Sequence, residues 1–275
     1  MKNLTIYLSS LMMALLLLPT FSFAQFEVGI GYLNSTPTGM MGNFINRPAH
    51  GFSMDIAYRL PSTNFSIGLQ FAESQYGYQK KEEMYRFDNG YEGNVNVEVY
   101  NYLGNNNLYL RYDIFDEGFI QPYVLFGGGI SRLSTDLSII DPREELTSDC
   151  PKPLETTTLL RDRTSNLIMG GGVRFDLSHP IKSIPKRKAL LDLRINYLNG
   201  GMVSYTNLNQ PSTTFTYRGE NVTFDFASEA QPNVVHEYHA GTSYRTKLQL
   251  VTINAGLFIV LGNRERNNTG YSDNW

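Results

Sequence analysis

Nine charged residues sit at alternate positions of strongly apolar stretches, each on the opposite parity from the apolar side chains: Glu27, Asp55, Arg59, Arg111, Asp113, Arg174, Asp176, Asp192 and Arg194. Five acids against four bases can do two things if the chain gathers them. They can neutralise one another as a salt-bridged plug, or they can line a path for ions or protons. An isolated ion in a confined interior costs several kcal/mol unless it is paired, so a mixed-sign set favours the plug. A path needs a continuous water-filled lumen, and nothing in the sequence demands one. Other candidates are thinner. His236-Glu237-Tyr238-His239 offers two ligands without the spacing of a zinc site. His50 and His179 have no carboxylate and nucleophile beside them in sequence. No catalytic, metal or cofactor site is therefore assigned, although groups brought together from different strands leave room for an enzyme built on His50 or His236 with a loop carboxylate. Gly127-Gly128-Gly129 and Gly170-Gly171-Gly172 are not phosphate loops, because no helix follows either; they mark close packing or bending of strands.

The elements that must position these charges are strands. Phe26, Val28, Ile30 and Tyr32 alternate with Glu27, Gly29 and Gly31, and the same period of two recurs over 51–60, 65–72, 108–114, 119–131, 166–177, 189–198 and 246–261. That makes eight runs. Alternation suits a sandwich as well as a barrel, but the polar parity is crowded with small residues (Gly29, Gly31, Ser53, Ala57, Ser66, Gly68, Gly170, Gly172), as a narrow barrel interior requires. Tyr32, Tyr58, Tyr112 and Tyr197 lie near run ends, where interface girdles belong. Connections alternate strictly between short (61–64, 116–118, 178–188) and long (33–50, 73–107, 132–165, 199–245). Short periplasmic turns and long extracellular loops give that pattern. The sequence thus predicts an all-β antiparallel transmembrane barrel of eight strands, or ten if the hairpin around Gly219 also crosses. Asp88-Asn89-Gly90 reads as a hairpin that closes strands three and four above the membrane, and Gly104 to Asn107 as a bulge or kink.

Composition agrees. The chain has 275 residues, 41% hydrophobic and 18% charged, with 18 Tyr and 16 Phe against one Trp. Its mean hydropathy of −0.27 excludes a bundle of membrane helices but not a barrel, which is apolar at every second position only. Residues 1–24 read as a secretory signal peptide: Lys2, an apolar core from Leu4 to Leu18, then Ser22-Phe23-Ala24 before Gln25. Loss of Lys2 with that leader takes the net charge from −3 to −4, which argues against nucleic acid as a partner. Cys150 stands alone and cannot pair within the chain. The barrel occupies 25–262, and 263–275 form a polar tail.

With the strands laid out, the segments at 107–115 (N-L-Y-L-R-Y-D-I-F), 121–131 (Q-P-Y-V-L-F-G-G-G-I-S), 167–177, 190–197 and 250–262 (L-V-T-I-N-A-G-L-F-I-V-L-G) resemble the outer membrane β-barrel domain family, the OmpA-like eight-stranded barrels of Gram-negative bacteria. The resemblance implies a cell-envelope protein in contact with outer membrane lipid and lipopolysaccharide, with a protein partner reached through the long loops. It implies little about activity, since the family holds structural barrels, adhesins, secretion accessories and lipid-modifying enzymes. Many members end on an aromatic residue in the last strand; here the strand closes at Leu261-Gly262 and Trp275 ends the tail. The expected role is non-enzymatic, structural or surface-interacting, with a small pore or a lipid-modifying enzyme as alternatives.

Overall fold

A computed structural model describes residues 25–86, 92–115, 117–143, 153–185, 188–208, 219–226 and 236–262. The leader, the Asp88-Asn89-Gly90 turn, Cys150 and the tail lie outside the described residues. Nine strands and one short helix follow in order: β1 (Gln25–Pro37), α1 (Gly39–Phe44), β2 (Ala49–Arg59), β3 (Phe65–Arg86), β4 (Glu92–Asp113), β5 (Ile120–Ile140), β6 (Glu155–Asp176), β7 (Ala189–Asn207), β8 (Glu220–Phe226) and β9 (His236–Leu261). Each strand from β1 to β6 pairs antiparallel with the next, β7 pairs with β9, and β9 returns to β1 over Phe26↔Leu261 to Pro37↔Leu250. Eight strands therefore close a barrel. The segment after Gly219 does not add to it: β8 has seven residues and pairs only with the outer end of β9.

Period two decides which way each side chain points, and along the strands the chemistry of the two faces exchanges. On β5 the outward positions begin with Ile120, Val124, Phe126 and Ile130, all about half exposed, and continue as Arg132, Asp136 and Ser138. The inward positions run the other way, from Gln121 and Tyr123 near the turn to Leu133, Leu137 and Ile139, which are fully buried. Strand β4 repeats this, with Asp113, Arg111, Asn107 and Asn105 inside at one end and Val99, Val97 and Val95 inside at the other. The half that meets the short turns is apolar outside and polar inside, as lipid demands. The other half obeys the rule for water. No described helix is long and apolar enough to cross a membrane. Paired rings (Phe26 with Tyr58, Phe65 with Tyr112, Phe119 with Phe175) mark the turn side of the apolar band, and Tyr32 marks its other side.

Beyond the band the barrel opens into two sheets. β2 stops pairing with β3 at His50↔Gln75, and β6 stops pairing with β7 at Asn166↔Gly200. The outer lengths of β3, β4, β5 and β6 form one sheet; β7, β9 and β8 form the other. Val95, Val97, Val99, Leu137 and Ile139 of the first pack with Leu208, Tyr238 and Ala240 of the second. Asn101 Nδ2 and Thr135 Oγ1 reach across to Thr206, at 2.8 and 2.9 Å. The expected irregularity at Gly104 to Asn107 is absent; those residues pair regularly with both neighbours. The bulge falls at Tyr76 instead, between Gln75 and Gly77, and buries the extra ring in the core around Leu103 and Tyr205.

On the outside of this outer half, Glu98 accepts hydrogen bonds from Tyr78 and Tyr100 and faces Lys80 at 3.2 Å. Burial pushes its carboxyl up, but the bonds from Tyr100, Lys80 and Tyr78 outweigh it and hold the pKa below the ordinary glutamate value. A depressed folded-state pKa gives stability that is present above the unfolded value and lost as pH falls through the folded one. The outer half is therefore expected to become more protease-sensitive below about pH 4, and Glu98→Gln to flatten that dependence. Identical digestion profiles of the two proteins across that range would refute this.

Candidate functional site

The nine charges come from five strands and all are buried, the most exposed being Arg59 at 7%. Antiparallel pairing puts Arg111 and Asp113 on β4 and Arg174 and Asp176 on β6, at inward positions near the turn end. Glu27 on β1 meets them from across the barrel: Arg111 Nη2 donates to Glu27 Oε2 at 2.7 Å and Arg174 Nη1 to the same carboxylate at 3.1 Å. Asp113 takes Arg59 from β2 at 3.0 Å. Its other oxygen lies 3.1 Å from Arg111 Nε and 2.9 Å from Arg174 Nη2. That oxygen has no partner of hydrogen-bond geometry, so these last two contacts are charge on charge alone. Two carboxylates and three guanidiniums thus make one cluster.

Arg194 and Asp55, from β7 and β2, make a second with a two-pronged contact at 3.1 and 2.9 Å, and Asp192 stands 3.6 Å from Arg194 Nε. Tyr123 joins the two. Its hydroxyl donates to Asp192 at 2.7 Å, while Arg111 and Arg174 lie over its ring at 5.6 and 5.7 Å. The first cluster has one base too many and the second one acid too many, so the joint arrangement is neutral. Asp176, nearest the turn, accepts from Ser178 N at 2.9 Å, with His179 Nδ1 at 3.9 Å.

Tyr123 escaped the reading of charges because it carries none. Its inward parity, shared with Gln121 and Leu125, is the signal that finds it. Glycine makes room for it: a Cβ on Gly172 would fall 2.6 Å from the Tyr123 hydroxyl, and one on Gly68 would fall 2.4 Å from Cζ of Tyr109. The triple glycines therefore do what close strand packing asks. One level out, Ser131, Asn105 and Asn166 are hydrogen-bonded to one another, and Asn254 donates to Ser53.

The histidines are placed otherwise. His50 lies on the outer wall of β2, where its Nδ1 is 2.5 Å from Tyr32 Oη and 3.3 Å from Asn34 Nδ2. The side chains of His236 and Glu237 lie outside the described residues. Among the described residues no three of His, Cys, Asp and Glu are grouped so as to hold a metal.

Apolar toward the outside, charged toward a closed axis, the eight-stranded sheet reverses the distribution of a water-soluble protein over half its height. This is a membrane-spanning β-barrel. No family model and no curated protein matches the sequence. Among solved structures the barrel is similar to Neisserial surface protein A, with 13% identity and a TM-score of 0.38 over 86% of this chain and 97% of that one. It is similar to a major outer membrane protein from Thermus thermophilus, with 10% identity and a TM-score of 0.41 over 86% and 99%. It is similar to the outer membrane protease OmpT of Escherichia coli, with 11% identity and a TM-score of 0.33 over 86% and 96%. What makes this chain a barrel is its own β1–β9 pairing and its inverted faces.

Proposed function

We propose that this is an integral outer membrane protein without enzymatic activity, in which the membrane barrel is a closed anchor and the two-sheet outer half makes surface or assembly contacts. The ion pairs that cross the barrel axis carry this reading. Glu27 with Arg111 and Arg174, Asp113 with Arg59, and Asp55 with Arg194 tie walls that are not neighbours, and they fill the interior that a pore would leave to water. The strands meanwhile run on past the lipid band for ten or more residues in β3 and β4, about 30 Å along the chain, and build a second core there. Structure extended so far beyond the membrane is of use only outside it. The short turns then face the periplasm and the sandwich faces outward. His50 supports the non-enzymatic part, since its ring is engaged by a tyrosine and an asparagine.

Fractionation is expected to place the protein in the outer membrane with heat-modifiable gel mobility. Planar bilayers holding the refolded barrel are expected to stay silent. Stable unitary conductance from the folded protein would defeat the closed anchor and make the interior charges selectivity groups.

A further inference from the structure

Where β2 leaves the wall, the edge of β3 is left open. Their ladder ends at His50↔Gln75, just inside Pro48, which has no N–H to give a ladder; β3 runs on to Arg86, paired on its other side with β4. Among the described residues no strand takes up the open side from Tyr76 onward, where every second residue turns its N–H and C=O away from β4. Strand edges are commonly guarded by charge, and here the guard stands at Lys80, Lys81, Glu82 and Glu83. Tyr76, Gly77, Tyr78 and Gln79, the part of the open edge nearest the membrane, carry none.

A crevice lies at the foot of this edge, with room for a group of about the size of one water molecule. It is lined by Asn46 and Arg47 from the loop after α1, by Tyr76 and Gly77 of β3, and by Leu208 beyond β7. The loop is held in place: Met41 and Ile45 are buried in the outer core, the Phe44 ring lies 4.1 Å from that of Tyr244, and Asn207 Nδ2 donates to Phe44 O at 2.5 Å. Two donors at the crevice are unused. The buried Tyr76 hydroxyl has no partner of hydrogen-bond geometry, and burial pushes its pKa above the ordinary tyrosine value, so it keeps its proton. Arg47 is exposed, and among the described residues no carboxylate lies within ion-pair distance of it. A guanidinium and a phenol hydroxyl around a gap of that size fit a carboxylate, which accepts from both.

We propose that the foot of this edge binds the C-terminal segment of a partner protein, whose carboxylate enters the crevice at Arg47 and Tyr76 and whose last residues add a strand to β3. Strand polarity supports this. β3 runs outward from the membrane, so a strand that ends at the crevice runs inward, antiparallel to β3 and in line with β2, which is the more stable way to pair. Backbone pairing then supplies affinity, and the terminal carboxylate fixes the register. Tyr78 is 48% exposed, with its ring 5.1 Å from that of Tyr100, and offers a face to an apolar side chain of the added strand. This deepens the surface-contact role given above and rests on the outward placement of the two sheets.

The test presents the refolded protein in nanodiscs with a library of heptapeptides randomised in their last four residues, made once as free acids and once as C-terminal amides. Selection is expected to enrich free acids with an apolar residue near the end. Fluorescence anisotropy should show each binding at least about tenfold more tightly than its own amide, the scale of losing a charge-assisted hydrogen bond. Arg47→Gln should weaken the acid by about the same factor and leave the amide unchanged. Tyr76→Phe, which keeps the ring in its core, should weaken the acid to a smaller extent. N-methylation of alternate peptide amides should abolish binding, and bound peptide should slow hydrogen exchange from Gly77 to Gln79. A library without binders overturns the site, and so do amides enriched as well as acids, or acid binding that survives Arg47→Gln. Protection that appears away from β3 overturns the added strand, and acetate competing as well as the peptide would make the crevice a site for small carboxylates instead. The comparison of acid with amide is read on the wild type, so it decides even if a variant does not fold. A chain that stays out of the discs overturns the barrel reading as well, whereas an inserted chain indifferent to peptide termini overturns the docking site alone.

Discussion

Asp113→Asn is expected to destabilise the barrel by about 3–5 kcal/mol, the scale of removing one partner from a buried ion pair. Asp113 is fully buried, and three guanidiniums lean on it: Arg59 at 3.0 Å, Arg174 at 2.9 Å and Arg111 at 3.1 Å. Asparagine keeps the shape and removes the charge. Glu27 is then the remaining carboxylate of the cluster, against three cations that cannot neutralise themselves because arginine does not release its proton in a protein. The loss therefore exceeds the net worth of the intact cluster, which costs desolvation on both sides. Reversible urea unfolding in micelles, followed by gel mobility, measures it. Asp136→Asn is the control, since that half-exposed carboxylate meets hydroxyls in the outer half; its expected change is within about 0.5 kcal/mol. Equal midpoints for Asp113→Asn and wild type would mean that the interior charges do not hold the barrel together.

Val97→Asp is expected to do the opposite: to unfold the outer half and spare the membrane half. Val97 has no exposure and packs between the two outer sheets with Leu137, Tyr238 and Ala240. An aspartate there buries a charge among apolar side chains at a cost of several kcal/mol, of which Lys81, its ladder partner with the ammonium over the Tyr238 ring, offsets only a part. The variant should lose its outer strands to protease while the remnant keeps heat-modifiable mobility. The reason lies in the two seams: past Asn166↔Gly200 and His50↔Gln75 the ladder is no longer closed, so the outer sheets depend on their own core. A variant digested like the wild type would show that this core is dispensable. Loss of the membrane barrel in step with the sandwich would show one cooperative unit instead of two.

Set against each other, the two substitutions separate an anchor held by charge from a display half held by apolar contact.

The sequence by itself determined the strands of the lipid band, their number and the inward parity of Glu27, Asp55, Arg59, Arg111, Asp113, Arg174, Asp176, Asp192 and Arg194. It could do so because alternation is local: two neighbours on a strand point to opposite faces whatever the rest of the chain does. The long connections were legible only in part. Val95, Val97 and Val99 announce a strand, but their inward parity continues that of Arg111 and Asp113 through a change from polar to apolar, and a reader who assigns every apolar parity to lipid turns the wrong face outward. Only the tertiary structure decided which charges meet. Glu27 faces Arg111 and Arg174, 84 and 147 residues away, because strand stagger and closure set the heights at which opposite walls look at each other. It also decided that an uncharged tyrosine at position 123 joins the two clusters, and that the bulge falls at Tyr76 where a ring was needed to fill the outer core. Each of those outcomes depends on register between distant segments, a quantity no local pattern carries.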